Sequence, residues 1–168
     1  LLDNIRLAEP VIRDADIIGI DMKSLSWESI ADPLNGQPNG FDSRSICAIS
    51  RYAGISDRVS FFGLYELIST QMMSELLAQM IWYFIEGVQY RFDEYPVNIE
   101  EGFLKYTVTL SNQNLVFFRS QTSDRWWMEI TNDSHLDNKS KTTTLLACTR
   151  EDYDCLLYTS PSPRDSTL

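Results

Sequence analysis

Cysteine, histidine and basic residues are scarce in this 168-residue chain, and each scarcity closes a class of reading. The three cysteines, Cys47, Cys148 and Cys155, are an odd number with no CxxC spacing, so they provide neither a disulfide framework nor a zinc knuckle. They imply a reducing compartment, hence a cytoplasmic location. The one histidine, His135, lies in the polar stretch Asn132-Asp133-Ser134-His135-Leu136-Asp137 and reads as a surface-loop residue with nothing at ligand spacing beside it. Fourteen Lys and Arg stand against 24 Asp and Glu, a formal charge of −10, which argues against a nucleic-acid or anionic-membrane partner. The longest apolar stretch, residues 76–85, is interrupted by Gln79 and falls far short of the ~20 residues that span a bilayer. Residues 1–10 mix apolar and charged side chains without the pattern of a signal peptide, and the first residue is Leu; the chain reads as an internal piece of something longer.

What is present is enough apolar material for a core. Hydrophobic residues make up 43% of the chain, with eight Phe, eight Tyr and four Trp, which excludes disorder throughout and suits one domain of ordinary size. Residues 1–87 have an α/β rhythm. Ala15-Asp16-Ile17-Ile18-Gly19-Ile20-Asp21 is a short apolar run bounded by acids, the pattern of a buried parallel strand ending at Asp21. A loop of turn formers, residues 32–40, leads to Asp42 or Ser43 as N-cap of a helix through Ala53, with Ile46, Ile49 and Ala53 on one face and Gly54 expected as its C′ residue. Residues 59–66 read as a second buried strand ending at Glu66, and residues 71–87 as an apolar helix. Strand, helix, strand, helix with acids at strand ends predicts a parallel sheet whose ligand site lies beyond the carboxyl ends of the strands.

From Phe103 the period changes. Residues 103–110, 115–119 and 126–130 read as short β segments, the first two joined by a hairpin turn at Ser111-Asn112-Gln113-Asn114, and residues 144–148 follow a polar loop. Thr149 is expected to N-cap a helix with Asp152 at N3. The wording of the last stretch, Leu156-Leu157-Tyr158-Thr159-Ser160-Pro161-Ser162-Pro163-Arg164-Asp165, resembles translated sequencing-adaptor read-through. Residues 156–168 are therefore set aside as a non-native tail that does not continue that helix.

Glu9-Pro10-Val11-Ile12-Arg13-Asp14-Ala15-Asp16 with Asp21 after it, Gln37-Pro38-Asn39-Gly40-Phe41, Ser50-Arg51-Tyr52-Ala53-Gly54, Phe62-Gly63-Leu64-Tyr65-Glu66 and residues 78–87 together resemble the arginase and formimidoylglutamase family. Ser123-Asp124-Arg125-Trp126-Trp127-Met128-Glu129 resembles a C-terminal extension of some bacterial formimidoylglutamase-like proteins. The resemblance implies an α/β chain that is the C-terminal part of a three-layer parallel-sheet ureohydrolase fold. Residues 1–92 would belong to the arginase-like α/β domain, and residues 93–155 to an appended β-rich element. It implies hydrolysis of a C–N bond in a linear amidine, formimidoylglutamate to glutamate and formamide in histidine degradation, with two manganese ions as cofactor. The partners implied are a small-molecule amidine substrate and further copies of the chain. Two oxygen-bridged cations give a nucleophilic hydroxide at neutral pH, which is why the chemistry needs carboxylate and imidazole ligands.

The family's upstream His and Asp-x-His-x-Asp are not in this chain, so the resemblance assigns it no catalytic residue and implies that it is inactive alone. Of the later Asp-x-Asp motif, Asp21 matches the first aspartate as a metal ligand and Lys23 stands in place of the second. Glu66 matches the glutamate that binds the substrate amidinium, but Ile68-Ser69 replaces the Asn-Pro that follows it. Those departures imply the alternative, a degenerate non-catalytic member with a binding or structural role. Plainer readings stand beside each residue. Asp21 is a strand-end acid satisfied by turn amides, Lys23 faces solvent or fills the volume of a lost ion, and Glu66 pairs with Arg58 or Arg91. The pair Trp126-Trp127 reads as packing, with alternate rings on opposite faces of a strand.

Overall fold

The computed structural model describes residues 4–32, 34–94, 101–110, 113–132 and 142–159, and the chain divides into two compact units, Leu1–Tyr95 and Pro96–Leu168. The architecture is mixed α/β, with one two-stranded parallel sheet and one four-stranded antiparallel sheet. Among the described residues no helix is long and apolar enough to cross a membrane.

The first unit runs through a short helix α1 (Ala8–Arg13), strand β1 (Ile17–Asp21), one turn of helix α2 (Trp27–Ile30), helix α3 (Ser43–Ile55), strand β2 (Phe61–Tyr65) and helix α4 (Gln71–Val88). β1 and β2 pair in parallel from Ile17 opposite Phe61 to Asp21 opposite Tyr65. Alternation sends Ile18, Ile20, Phe62 and Leu64 toward the helices, where they meet a core of Met22, Leu25, Ile30, Ile46, Met73, Leu76 and Met80 and a smaller cluster around Ile12 and Ala53. Phe62 stacks on Phe84 of α4 with ring centroids 4.5 Å apart.

The apolar runs predict strands buried on both faces, and in this structure they are buried on one. Ile17 is 68% exposed, Phe61 50% and Tyr65 51%, because α3 and α4 follow their strands onto the same side and pack against each other. On the open side the rings of Phe61 and Tyr65 lie over Gly19 and Gly63. A Cβ on Gly63 would come within 2.7 Å of the Tyr65 hydroxyl.

Asp42 caps α3 as expected, its Oδ1 accepting the Ser45 N–H at 2.6 Å. Gly54 does not terminate that helix, which continues to Ile55 with Ser56 as its C-cap. Gly54 instead lies where α3 meets α4 at Gly87. A Cβ on Gly54 would overlap the Phe84 carbonyl oxygen, and one on Gly87 would stand 2.5 Å from the Arg51 oxygen. Missing side chains at both positions let the two backbones touch, and that close approach is why glycine is tolerated inside a helix here.

The second unit is a meander of β3 (Phe103–Leu110), β4 (Gln113–Ser120), β5 (Trp126–Asn132) and β6 (Thr142–Cys148), followed by α5 (Arg150–Thr159). β4 begins two residues earlier than expected, with Gln113 opposite Leu110, and residues 111–112 of the expected turn lie outside the described residues. Val108, Phe117, Trp126 and Cys148 form the buried cluster on one face, and Tyr153 and Leu156 of α5 pack against it. Thr149 and Asp152 cap each other: the Thr149 N–H donates to Asp152 Oδ2 at 2.7 Å, and the Asp152 N–H donates to Thr149 Oγ1 at 3.1 Å. The helix so started runs on through Thr159, against the expectation that it stops before Leu156. Leu156 lies three residues after Tyr153 and shares its apolar face. The rest of the stretch set aside as a tail, residues 160–168, lies outside the described residues, as does His135.

Candidate functional site

Parallel pairing sets Asp21 opposite Tyr65, so Asp21 and Glu66 stand at neighbouring strand ends on the edge where open α/β sheets hold ligands. After Asp21 the chain enters a single 3-10 turn, Met22–Ser24. Asp21 organises that turn. Its Oδ1 accepts the Lys23 N–H at 2.8 Å, and its main-chain oxygen accepts the Ser24 hydroxyl at 2.6 Å. Met22 is fully buried and anchors the turn, while Lys23 projects outward.

Glu66 leaves β2 with φ 57°, the left-handed region that L-residues other than Asn and Asp seldom occupy. That bend turns the chain out of the sheet toward α4, whose first turn is capped by Thr70 Oγ1 accepting the Met73 N–H at 3.1 Å. The Glu66 carboxylate meets the Lys23 ammonium, with Nζ 2.8 Å from Oε2. The side chains are 48% and 55% exposed, so solvent screens the pair and its contribution to stability is small. The hydrogen bond to Glu66, then the charge of Glu66, raise the Lys23 pKa above its ordinary value, and the group stays an ammonium at neutral pH.

Glu66 therefore does not pair with either arginine suggested for it. Arg58 makes a fork to Asp16, with Nη2 2.9 Å from both carboxylate oxygens, and Arg91 donates to the main-chain oxygens of Gly54 at 2.9 Å and Val59 at 3.0 Å. Both are tied to the opposite, entry end of β2, which residue type alone does not disclose. Lys23 is brought to Glu66 by strand register, a signal present in the sequence once the two acids are placed at paired strand ends.

The donors at this edge do not fit the two manganese ions that the family resemblance implies. One Asp21 oxygen is committed to a turn amide, and the position two residues on offers an ammonium with no lone pair, seated on the remaining carboxylate. Among the described residues no three His, Cys, Asp or Glu side chains gather as a ligand set. Chemically the edge as built balances one fixed cation against two acids. Trp126 and Trp127 are 6% and 2% exposed. Trp126 stacks between Tyr106 and Tyr153 and Trp127 packs edge-on to Phe103, so the pair fills both faces of its sheet and offers no ring for a ligand. No family model matches the chain, and no curated protein matches it.

Proposed function

We propose that the chain forms the C-terminal part of an arginase-like protein of the formimidoylglutamase type, on a three-layer parallel-sheet ureohydrolase fold. The reaction of that class is hydrolysis of a C–N bond in a linear amidine, formimidoylglutamate giving glutamate and formamide in histidine degradation. On this reading the protein is cytoplasmic and self-associating. One observation carries the reading. Asp21 and Glu66, matched by resemblance to a metal ligand and to an amidinium acceptor, end two strands that pair in parallel and in register. A carboxylate at such an edge suits a planar amidinium, which it can meet through two parallel charge-assisted bonds.

A second reading is favoured by the ion pair itself. With Lys23 on Glu66, the cation that the edge holds belongs to the chain, as in a non-catalytic family member kept for binding or structure. Manganese content and formimidoylglutamate hydrolysis, measured on the product of the complete source gene with Lys23 and with Lys23→Asp, separate the two. Hydrolysis by the Lys23 protein supports the enzyme. Manganese bound only after Lys23→Asp supports the non-catalytic member, manganese without hydrolysis in the Lys23 protein removes formimidoylglutamate as substrate, and no manganese in either protein overturns the manganese-hydrolase reading.

A further inference from the structure

A cleft of about 470 Å³ lies between α3 and α4, and neither strand-end acid lines it. Its polar lining is made by Ser43, Arg44, Arg51, Gln79 and Tyr83, with the Cys47 thiol beside them, and among the described residues none that lines it is acidic. In a chain of formal charge −10 the lining carries two guanidinium groups, of which Arg51 is ion-paired with Glu86. The volume is that of a small-molecule site, and the guanidinium, amide and phenol groups among its lining residues are donors that can bind anionic oxygens.

The two arginines differ in how they are held. Arg51 is positioned, its Nε 3.2 Å from Glu86 Oε2 and its guanidinium 5.5 Å from the centre of the Tyr90 ring. Arg44 is exposed, and its charge acts on Asp42, whose carboxylate already accepts the Ser45 N–H. Among the described residues the Arg44 guanidinium has no hydrogen-bond acceptor. Burial pushes the Cys47 thiol pKa up, so it stays neutral and adds no repelling charge.

Arg44 and Arg51 are seven residues apart on one helix, two turns and about 10 Å along its axis, so they share a face without sharing a point. A compact anion engages one of them; an anion with charge at both ends engages both. We propose that this cleft binds a small dicarboxylate, one carboxylate on Arg44 and the other on Arg51, with Gln79 and Tyr83 of α4 closing on the chain between them.

The test is calorimetric titration of the 168-residue chain with succinate, acetate and inorganic phosphate, with arginine side-chain resonances followed by NMR. Saturable succinate binding is expected, at least roughly tenfold tighter than acetate or phosphate and weakening as salt is raised. Arg44→Gln, an exposed change whose fold is checked by circular dichroism, should weaken succinate binding roughly tenfold. Arg58→Gln, which removes a guanidinium elsewhere, should leave binding unchanged. No saturable succinate binding, phosphate binding as tight as succinate, or Arg44→Gln binding like the unaltered chain would each overturn the proposal. None of these outcomes bears on the strand-end reading, which rests on different residues.

Discussion

Gly54→Ala sets two physical rules against each other at one position. By helix propensity alone, alanine in place of an interior glycine stabilises a helix by about 1 kcal/mol. The packing at Gly54 gives the opposite sign, because the new Cβ would overlap the Phe84 carbonyl oxygen and stand 3.0 Å from the Gly87 Cα. These are main-chain atoms of α4, and no rotamer change moves them aside. The helices must separate, in a contact that also positions the stacked Phe62 and Phe84 rings. Overpacking of this kind costs about 3 kcal/mol, and setting the propensity gain against it leaves a net loss of about 2 kcal/mol. For a unit of this size that lowers the melting temperature by roughly 10 °C. Urea unfolding followed by circular dichroism should show a lower midpoint at unchanged slope. A neutral or stabilising Gly54→Ala would refute the close-approach account of both glycines and return Gly54 to the role of a helix terminator.

Met80→Ala removes a fully buried side chain from the first unit's core and should cost about 3 kcal/mol, read from the same urea midpoints. Thr149→Ala breaks the reciprocal cap at the start of α5 and should cost about 1 kcal/mol. Tryptophan fluorescence is the assay, because Tyr153 of that helix stacks on Trp126 with centroids 4.9 Å apart. The Asp42 carboxyl is held below its ordinary pKa, first by the Ser45 N–H, so its stabilisation is complete above the unfolded-state value near pH ~4 and is lost as pH falls through the lower folded value. Asp42→Ala should therefore lower the urea midpoint at neutral pH, and the gap from the unaltered chain should narrow in strong acid, at about pH 2.

The parallel pair and its order along the chain are legible in the sequence because a short apolar run closed by acids fits little besides a buried strand. The caps at Asp42 and Thr149 are legible because capping is a local matter of three residues. Gly54 misleads for the reason that makes it informative. Near the end of a helical pattern, a terminating glycine and a packing glycine look alike, and only the partner glycine 33 positions later, Gly87, tells them apart. The length of α5 is hidden because the wording of residues 156–165 masks the Tyr153 and Leu156 spacing that carries the helix on. Two-sided burial of β1 and β2 fails as an expectation because an apolar run records what a strand prefers, while its neighbours decide which face is covered. The Lys23–Glu66 pair joins residues 43 positions apart, and it becomes visible once strand register places Asp21 opposite Tyr65.

That pair also sets what the strand-end edge can hold. Asp21 and Glu66 bring two negative charges and Lys23 returns one, so a divalent ion arriving there meets a net charge of minus one and an ammonium already on one of its two acids. Replacing Lys23 by aspartate changes the local sum to minus three and frees the Glu66 carboxylate in one step. No substitution of Asp21 or Glu66 adds a ligand oxygen while removing the competing cation. Reversing Lys23 is therefore a cleaner probe than deleting either acid. Loss of Asp21 removes a carboxylate that also holds the Lys23 turn, so a resulting loss of cation binding would not separate a ligand from a structural acid, whereas a gain on Lys23→Asp is expected only if the edge is a metal site whose occupant has become part of the chain.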